Sequence, residues 1–177
     1  IFLVRRGAEE KEEAYYSLEN KARGLEGIGL LGRMSDIPGI KKDLGRKYKS
    51  ALETAGKMVK RGKWNELLPL NMTNDQFYTA SRFWSIAREG TNEDTFPYYN
   101  PKRKFRWAKK VRLPVLVLIG KKEQYADRPV PEIIEAFRKQ IPDKYFSGKI
   151  IKGADHGFRK KEKELGREMA DWILSVL

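Results

Sequence analysis

Cysteine is absent from the 177 residues. This excludes disulfides, thiolate metal sites and a cysteine nucleophile. Histidine occurs once, at position 156, which leaves too little material for the usual zinc sites built on two or three imidazoles. No cofactor is expected. No apolar run approaches the roughly 18 residues needed to cross a bilayer. The apolar start at 1–4 leads into Arg5, Arg6 and a glutamate-rich stretch rather than a secretory cleavage site. The expectation is a soluble, cytoplasmic protein with no membrane partner. Glutamine is scarce and 34% of the residues are charged, a composition that resembles proteins from hot environments.

Positive charge is plentiful, with a formal net charge of +13. The densest block is 102–112, where seven Lys and Arg surround Phe105 and Trp107. Aromatics among basic residues can stack on single-stranded nucleic acid. Phe105, Trp107, Ala108 and Val111 also recur at helical spacing, and this favours a short helix packing its apolar side on the body. A basic nucleic-acid-binding module therefore stands behind the packing reading.

The hydrophobic content of 40% suits one domain with its own core. Residues 1–4 read as a strand, 9–23 as a helix ending at Gly24, and 25–32 as a second strand. The glycines of that strand suit close packing of a helix on the sheet. Residues 33–39 read as a loop. A stripe of Leu44, Tyr48, Ala51, Leu52, Ala55, Met58 and Val59 predicts one amphipathic helix over 41–61. Thr73 with Gln76 three residues on predicts the start of another, ending near Gly90, and 90–101 reads as a polar loop tipped with aromatics.

The run Leu113-Pro114-Val115-Leu116-Val117-Leu118-Ile119-Gly120 predicts a strand buried on both faces, as in a parallel sheet covered by helices. Glu123 and Asp127 follow it directly. A helix over 130–140 and a strand over 149–152 lead to Gly153-Ala154-Asp155-His156-Gly157-Phe158, and a helix over 161–177 closes the chain. Acid and base thus each stand at the carboxyl end of a strand, where open α/β sheets place their chemistry.

The "PVLVLIGKKEQYAD" strand and acid turn, followed by the "GADHGF" loop and a last helix, resembles the carboxyl-terminal part of the α/β-hydrolase fold. The resemblance implies an α/β protein with a mostly parallel sheet and flanking helices, one domain over 1–177, and a helical lid insertion at 38–110 whose own loop, 90–101, lies near the substrate mouth. It implies His156 as triad base and Glu123 as its orienting acid, with Asp127 or Asp36 in reserve and Asp155 structural. It further implies a small-molecule ester or acyl substrate of the serine esterase or acyl-hydrolase class.

The nucleophile elbow departs from the family pattern. After the first strand the family has Gly-x-Ser-x-Gly, but here Gly7 stands at the serine position and Arg5 and Glu9 stand at the glycine positions. The pattern occurs nowhere else in the chain. The serine is expected to be missing or supplied by chain not shown, and the isolated chain to be inactive. A non-catalytic binding or scaffold protein derived from this fold is the alternative. An apolar first strand with no lead-in also predicts pairing through that strand, with a missing segment or with a second copy.

Overall fold

The computed structural model describes residues 2–3, 27–32, 34–108 and 111–176. Among these residues four strands form a parallel sheet in sequence order: β1 (Phe2–Leu3), β2 (Ile28–Leu31), β3 (Val115–Gly120) and β4 (Phe146–Ile151). The register pairs Phe2 with Ile28, Ile28 with Val115, and Val115 with Phe146 through to Gly120 with Ile151. The elbow segment 5–9 and the helix expected over 9–23 lie outside the described residues.

Strand alternation explains the unbroken apolar run of β3. Val115, Val117 and Ile119 face one side, in a core with Ile133 and Phe137 of α4 (Val130–Arg138) and with Phe96, Phe105 and Trp107. Leu116 and Leu118 face the other, against Trp172 of α5 (Glu162–Val176), Phe158 and Ile151. Every β3 residue is buried, and each large side chain so placed contributes about 1.5–3 kcal/mol. A Cβ on Gly27 would stand 2.6 Å from the Trp172 ring, so the glycine just before β2 does admit a closely packed helix.

Between β2 and β3 the described residues form α1 (Asp36–Leu44), α2 (Lys47–Lys60), a 3-10 turn (Leu70–Met72) and α3 (Ala80–Ala87), joined by loops. These helices share a separate core of Leu44, Ala51, Ala55, Leu68, Phe83 and Ala87. Three local expectations are corrected here. The helix expected over 41–61 is two helices, because Gly45 takes φ 51° and ends the first of them. The loop expected over 33–39 becomes helical at Asp36, where Ser35 caps the new end by accepting the Ile37 N–H at 3.3 Å. Thr73 caps no helix; its hydroxyl bonds the carbonyls of Leu70 and Gln76, and the cap is Thr79, which accepts the Arg82 N–H at 3.3 Å.

The basic block also differs from expectation. Its described part is turns rather than helix, yet Phe105, Trp107, Ala108 and Val111 are all buried, so the packing half of the reading holds. Trp107 donates its indole N–H to the Thr95 carbonyl at 3.1 Å. Loop 90–101 is not tipped outward: Thr91, Asp94, Thr95, Phe96 and Tyr98 are buried. Its fixed point is Asp94, which accepts from Gly90 N–H at 3.0 Å and the Tyr99 hydroxyl at 2.8 Å and pairs with Arg103 at 3.1 Å.

Candidate active site

The register that sets Gly120 beside Ile151 brings the two following loops out at the same end of the sheet. They are laced together at once: Lys121 N–H donates to the Ile151 carbonyl at 2.9 Å, and Lys122 N–H to the Ala154 carbonyl at 2.8 Å. A side chain at Gly120 would put its Cβ 2.5 Å from the Ala154 oxygen and 2.6 Å from the Asp155 oxygen, so only glycine lets the histidine loop settle there. At the end of β2, Gly32 has φ 56° and a virtual Cβ 3.5 Å from the His156 ring.

Glu123 and His156 meet in this arrangement. Glu123 Oε2 lies 2.9 Å from His156 Nδ1. The glutamate side chain is fully buried while that of His156 is 44% exposed. The other carboxylate oxygen, Oε1, accepts the Tyr125 N–H at 3.1 Å, and Glu123 N–H donates to the Gly120 carbonyl at 3.2 Å. The extra methylene of glutamate is taken up by this tight turn, which carries the carboxylate back to the ring. A carboxylate can only accept, so the proton of the neutral imidazole sits on Nδ1 and Nε2 is left with a free lone pair. Among the described residues no hydrogen bond engages Nε2.

The other carboxylates are placed differently. Asp127 Oδ2 accepts from Arg128 Nε at 3.0 Å and Nη2 at 2.8 Å, and this bond holds the Arg128 guanidinium above its ordinary pKa. Arg128 also lies over the Tyr98 ring, 5.5 Å from its centre. The Tyr98 phenol is pushed well above its usual range, first by burial and then by the neighbouring Asp127 carboxylate, although its hydroxyl forms no well-aligned hydrogen bond among the described residues. Asp127 thus anchors the far end of the acid turn. Asp36 occupies the first turn of α1, a favourable place for a carboxylate. Asp155 accepts the Arg159 N–H at 3.0 Å and shapes the loop, as expected.

Two contacts had no signature in the sequence. His156 N–H donates to Gln124 Oε1 at 3.1 Å. The Tyr125 ring meets the imidazole edge-on, with centres 5.1 Å apart and planes at 89°. Both residues lie inside the acid turn, but neither type is diagnostic at that spacing.

Among the described residues no group of three His, Asp or Glu could hold a metal ion, and no helix is long and apolar enough to cross a membrane. The chain is similar in structure to a highly thermostable carboxyl esterase from Bacillus coagulans solved with glycerol, at 15% identity and a TM-score of 0.53, over 93% of this chain and 61% of that one. A serine hydrolase involved in carbazole degradation aligns at 19% identity and a TM-score of 0.40, over 93% of this chain and 58% of that one. The chain therefore spans less than two thirds of these structures. No curated protein matches it. The parallel sheet, flanking helices and esterase neighbour make the fold α/β-hydrolase-like. The family model described as a protein of unknown function (DUF1749) matches residues 12–177, and the chain belongs to that family.

Proposed function

We propose that the chain carries the general base and the orienting acid of a hydrolase of the serine esterase or acyl-hydrolase class, acting on small-molecule esters or acyl compounds. The observation that carries this reading is the 2.9 Å contact between a fully buried glutamate and the exposed ring of the only histidine. In such a pair His156 Nε2 takes the proton of an attacking hydroxyl, while Glu123 holds the tautomer and stabilises the imidazolium that forms. Asp127 supports the turn that presents Glu123. The helices within 38–110 act as a lid over the substrate.

The pair is half of a mechanism. The sequence has no Gly-x-Ser-x-Gly, and the oxyanion donors that accompany that elbow are worth about 10²–10³ in rate. The missing motif favours a second reading, a binding or scaffold protein that keeps the fold and the acid–base pair without turnover. A longer polypeptide or a second copy would pair with the sheet at β1, the end of the strand order. A monodisperse monomer in sedimentation counts against the second copy.

Fluorophosphonate labelling of the protein isolated from its source, read by intact mass, separates the two readings. One covalent adduct, lost in His156→Ala, is the result expected of the hydrolase. A folded protein that takes up no adduct overturns it in favour of the binding protein.

A further inference from the structure

The loop that carries His156 is secured on both sides of the histidine but not by regular structure. Ala154 and Phe158 are buried, and the Ala154 carbonyl is held by Lys122 N–H. Between them His156 rises to the surface. Its ring is tied at Nδ1 to Glu123, a single point about which the side chain and its peptide could still pivot together. The second point is the backbone N–H of the same residue, and its partner is the side-chain oxygen of Gln124, 3.1 Å away.

We propose that Gln124 is a positioning residue for His156, fixing the backbone of the histidine so that its imidazole keeps one orientation toward Glu123. The inference rests on the acid–base reading of that pair. One turn then holds the histidine three ways: Glu123 at Nδ1, Gln124 at the main chain and Tyr125 edge-on to the ring. The amide orientation follows from chemistry, since a backbone N–H needs an acceptor and only the Gln124 oxygen can supply it. Two attachments from adjacent residues fix both the position and the rotation of the ring, and a general base needs both. The Tyr125 N–H bond to Glu123 Oε1 keeps the carboxylate from turning away when the histidine moves. Gln124 is exposed, so its replacement opens no core and leaves the fold intact.

The lone histidine makes the test direct, because ¹⁵N-histidine labelling yields one imidazole and one histidine amide. Long-range ¹H–¹⁵N correlation reads the ring tautomer, and hydrogen exchange reads the His156 amide. The wild-type ring is expected in the Nδ1–H form. Gln124→Leu and Gln124→Ala, which remove the acceptor, should raise the Nε2–H population and the amide exchange rate roughly fivefold, the size of one net hydrogen bond. Gln124→Glu keeps an acceptor at the same reach and should retain the wild-type pattern. Unchanged tautomer and amide protection in the Leu and Ala variants would overturn the positioning role, as would a Glu variant that behaves like them. The wild-type spectrum tests the Glu123–His156 pair separately, and fluorophosphonate labelling tests the hydrolase reading, so the three can fail independently.

Discussion

Glu123 and Asp94 are both carboxylates with fully buried side chains, and their partners separate their roles. Asp94 is engaged by three donors from its own stretch of chain, Gly90 N–H, Tyr99 and Arg103, so its charge goes to holding loop 90–101. Glu123 passes its second oxygen to a ring that reaches solvent, and its charge is therefore available at the surface through the imidazole. Exposed pairs behave differently again. Lys41 and Glu89 meet at 2.9 Å and clip α1 to the second residue beyond α3. Their hydrogen bond lowers the Glu89 pKa from 4.5 and raises that of Lys41 from 10.5. For the acid, stability from the pair is present above the ordinary carboxylate value and is lost as pH falls through the depressed one. For the lysine, it is lost as pH rises through the elevated one. Glu89→Gln should thus lower stability at neutral pH by at most about 1 kcal/mol, as suits a solvent-screened pair. The difference should close in thermal melts taken across the acid range, once the pH lies below the depressed carboxylate value. A gap that persists there would assign the loss to packing instead.

At the level of elements, what the sequence declares is what local physics decides. The run 113–120 is legible because a strand covered on both faces has no polar alternation, and the acid and histidine at the strand ends are legible because parallel strands deliver both loops to one edge. The 41–61 stripe hides the break at Gly45, since apolar spacing continues across a glycine whose φ only tertiary context fixes. The capping box at Thr73 is a local signal that tertiary context overrides: Asn74 and Asp75 take positive φ and no helix starts there, whereas the actual cap, Thr79, has Arg82 rather than Glu or Gln three residues on and gives no such box. Two glycines test how far the elements act independently. At Gly56 a Cβ would stand 2.6 Å from the Trp84 ring, so Gly56→Ala should force α2 and α3 apart and cost about 1–3 kcal/mol. At Gly120 the obstruction is backbone of the histidine loop, so Gly120→Ala should cost a similar amount and also shift the His156 ring signals. Ring signals that move in the first variant, or stay fixed in the second, would contradict this separation.

For the whole molecule the governing quantity is the net charge of +13, and the question is which electrostatic effect salt relieves. Several arginines of the basic block are committed internally: Arg103 to Asp94, Arg106 to the carbonyls of Gly90 and Thr91, and Arg112 to the carbonyl of Val111. The excess charge therefore acts mainly as a field over the surface. Exposed ion pairs such as Lys63–Glu66, Arg138–Asp143 and Lys149–Glu168 stabilise by about 0–1 kcal/mol each, and together by a few. Self-repulsion opposes them. Compacting a chain of this length from a radius of gyration of about 45 Å to about 16 Å concentrates the same charge, at a cost on the order of 10 kcal/mol before screening. Repulsion outweighs the pairs and reaches further, so it is the effect relieved when the screening length falls from about 30 Å at 10 mM salt to about 10 Å at 100 mM. Raising sodium chloride between those concentrations should lift the melting temperature by about 5 °C or more, given roughly 2–4 °C per kcal/mol for a domain of this size. A fall in melting temperature over the same interval would mean that the ion pairs outweigh the net charge. The basic surface would then have to be treated as a set of paired sites rather than a repulsive shell.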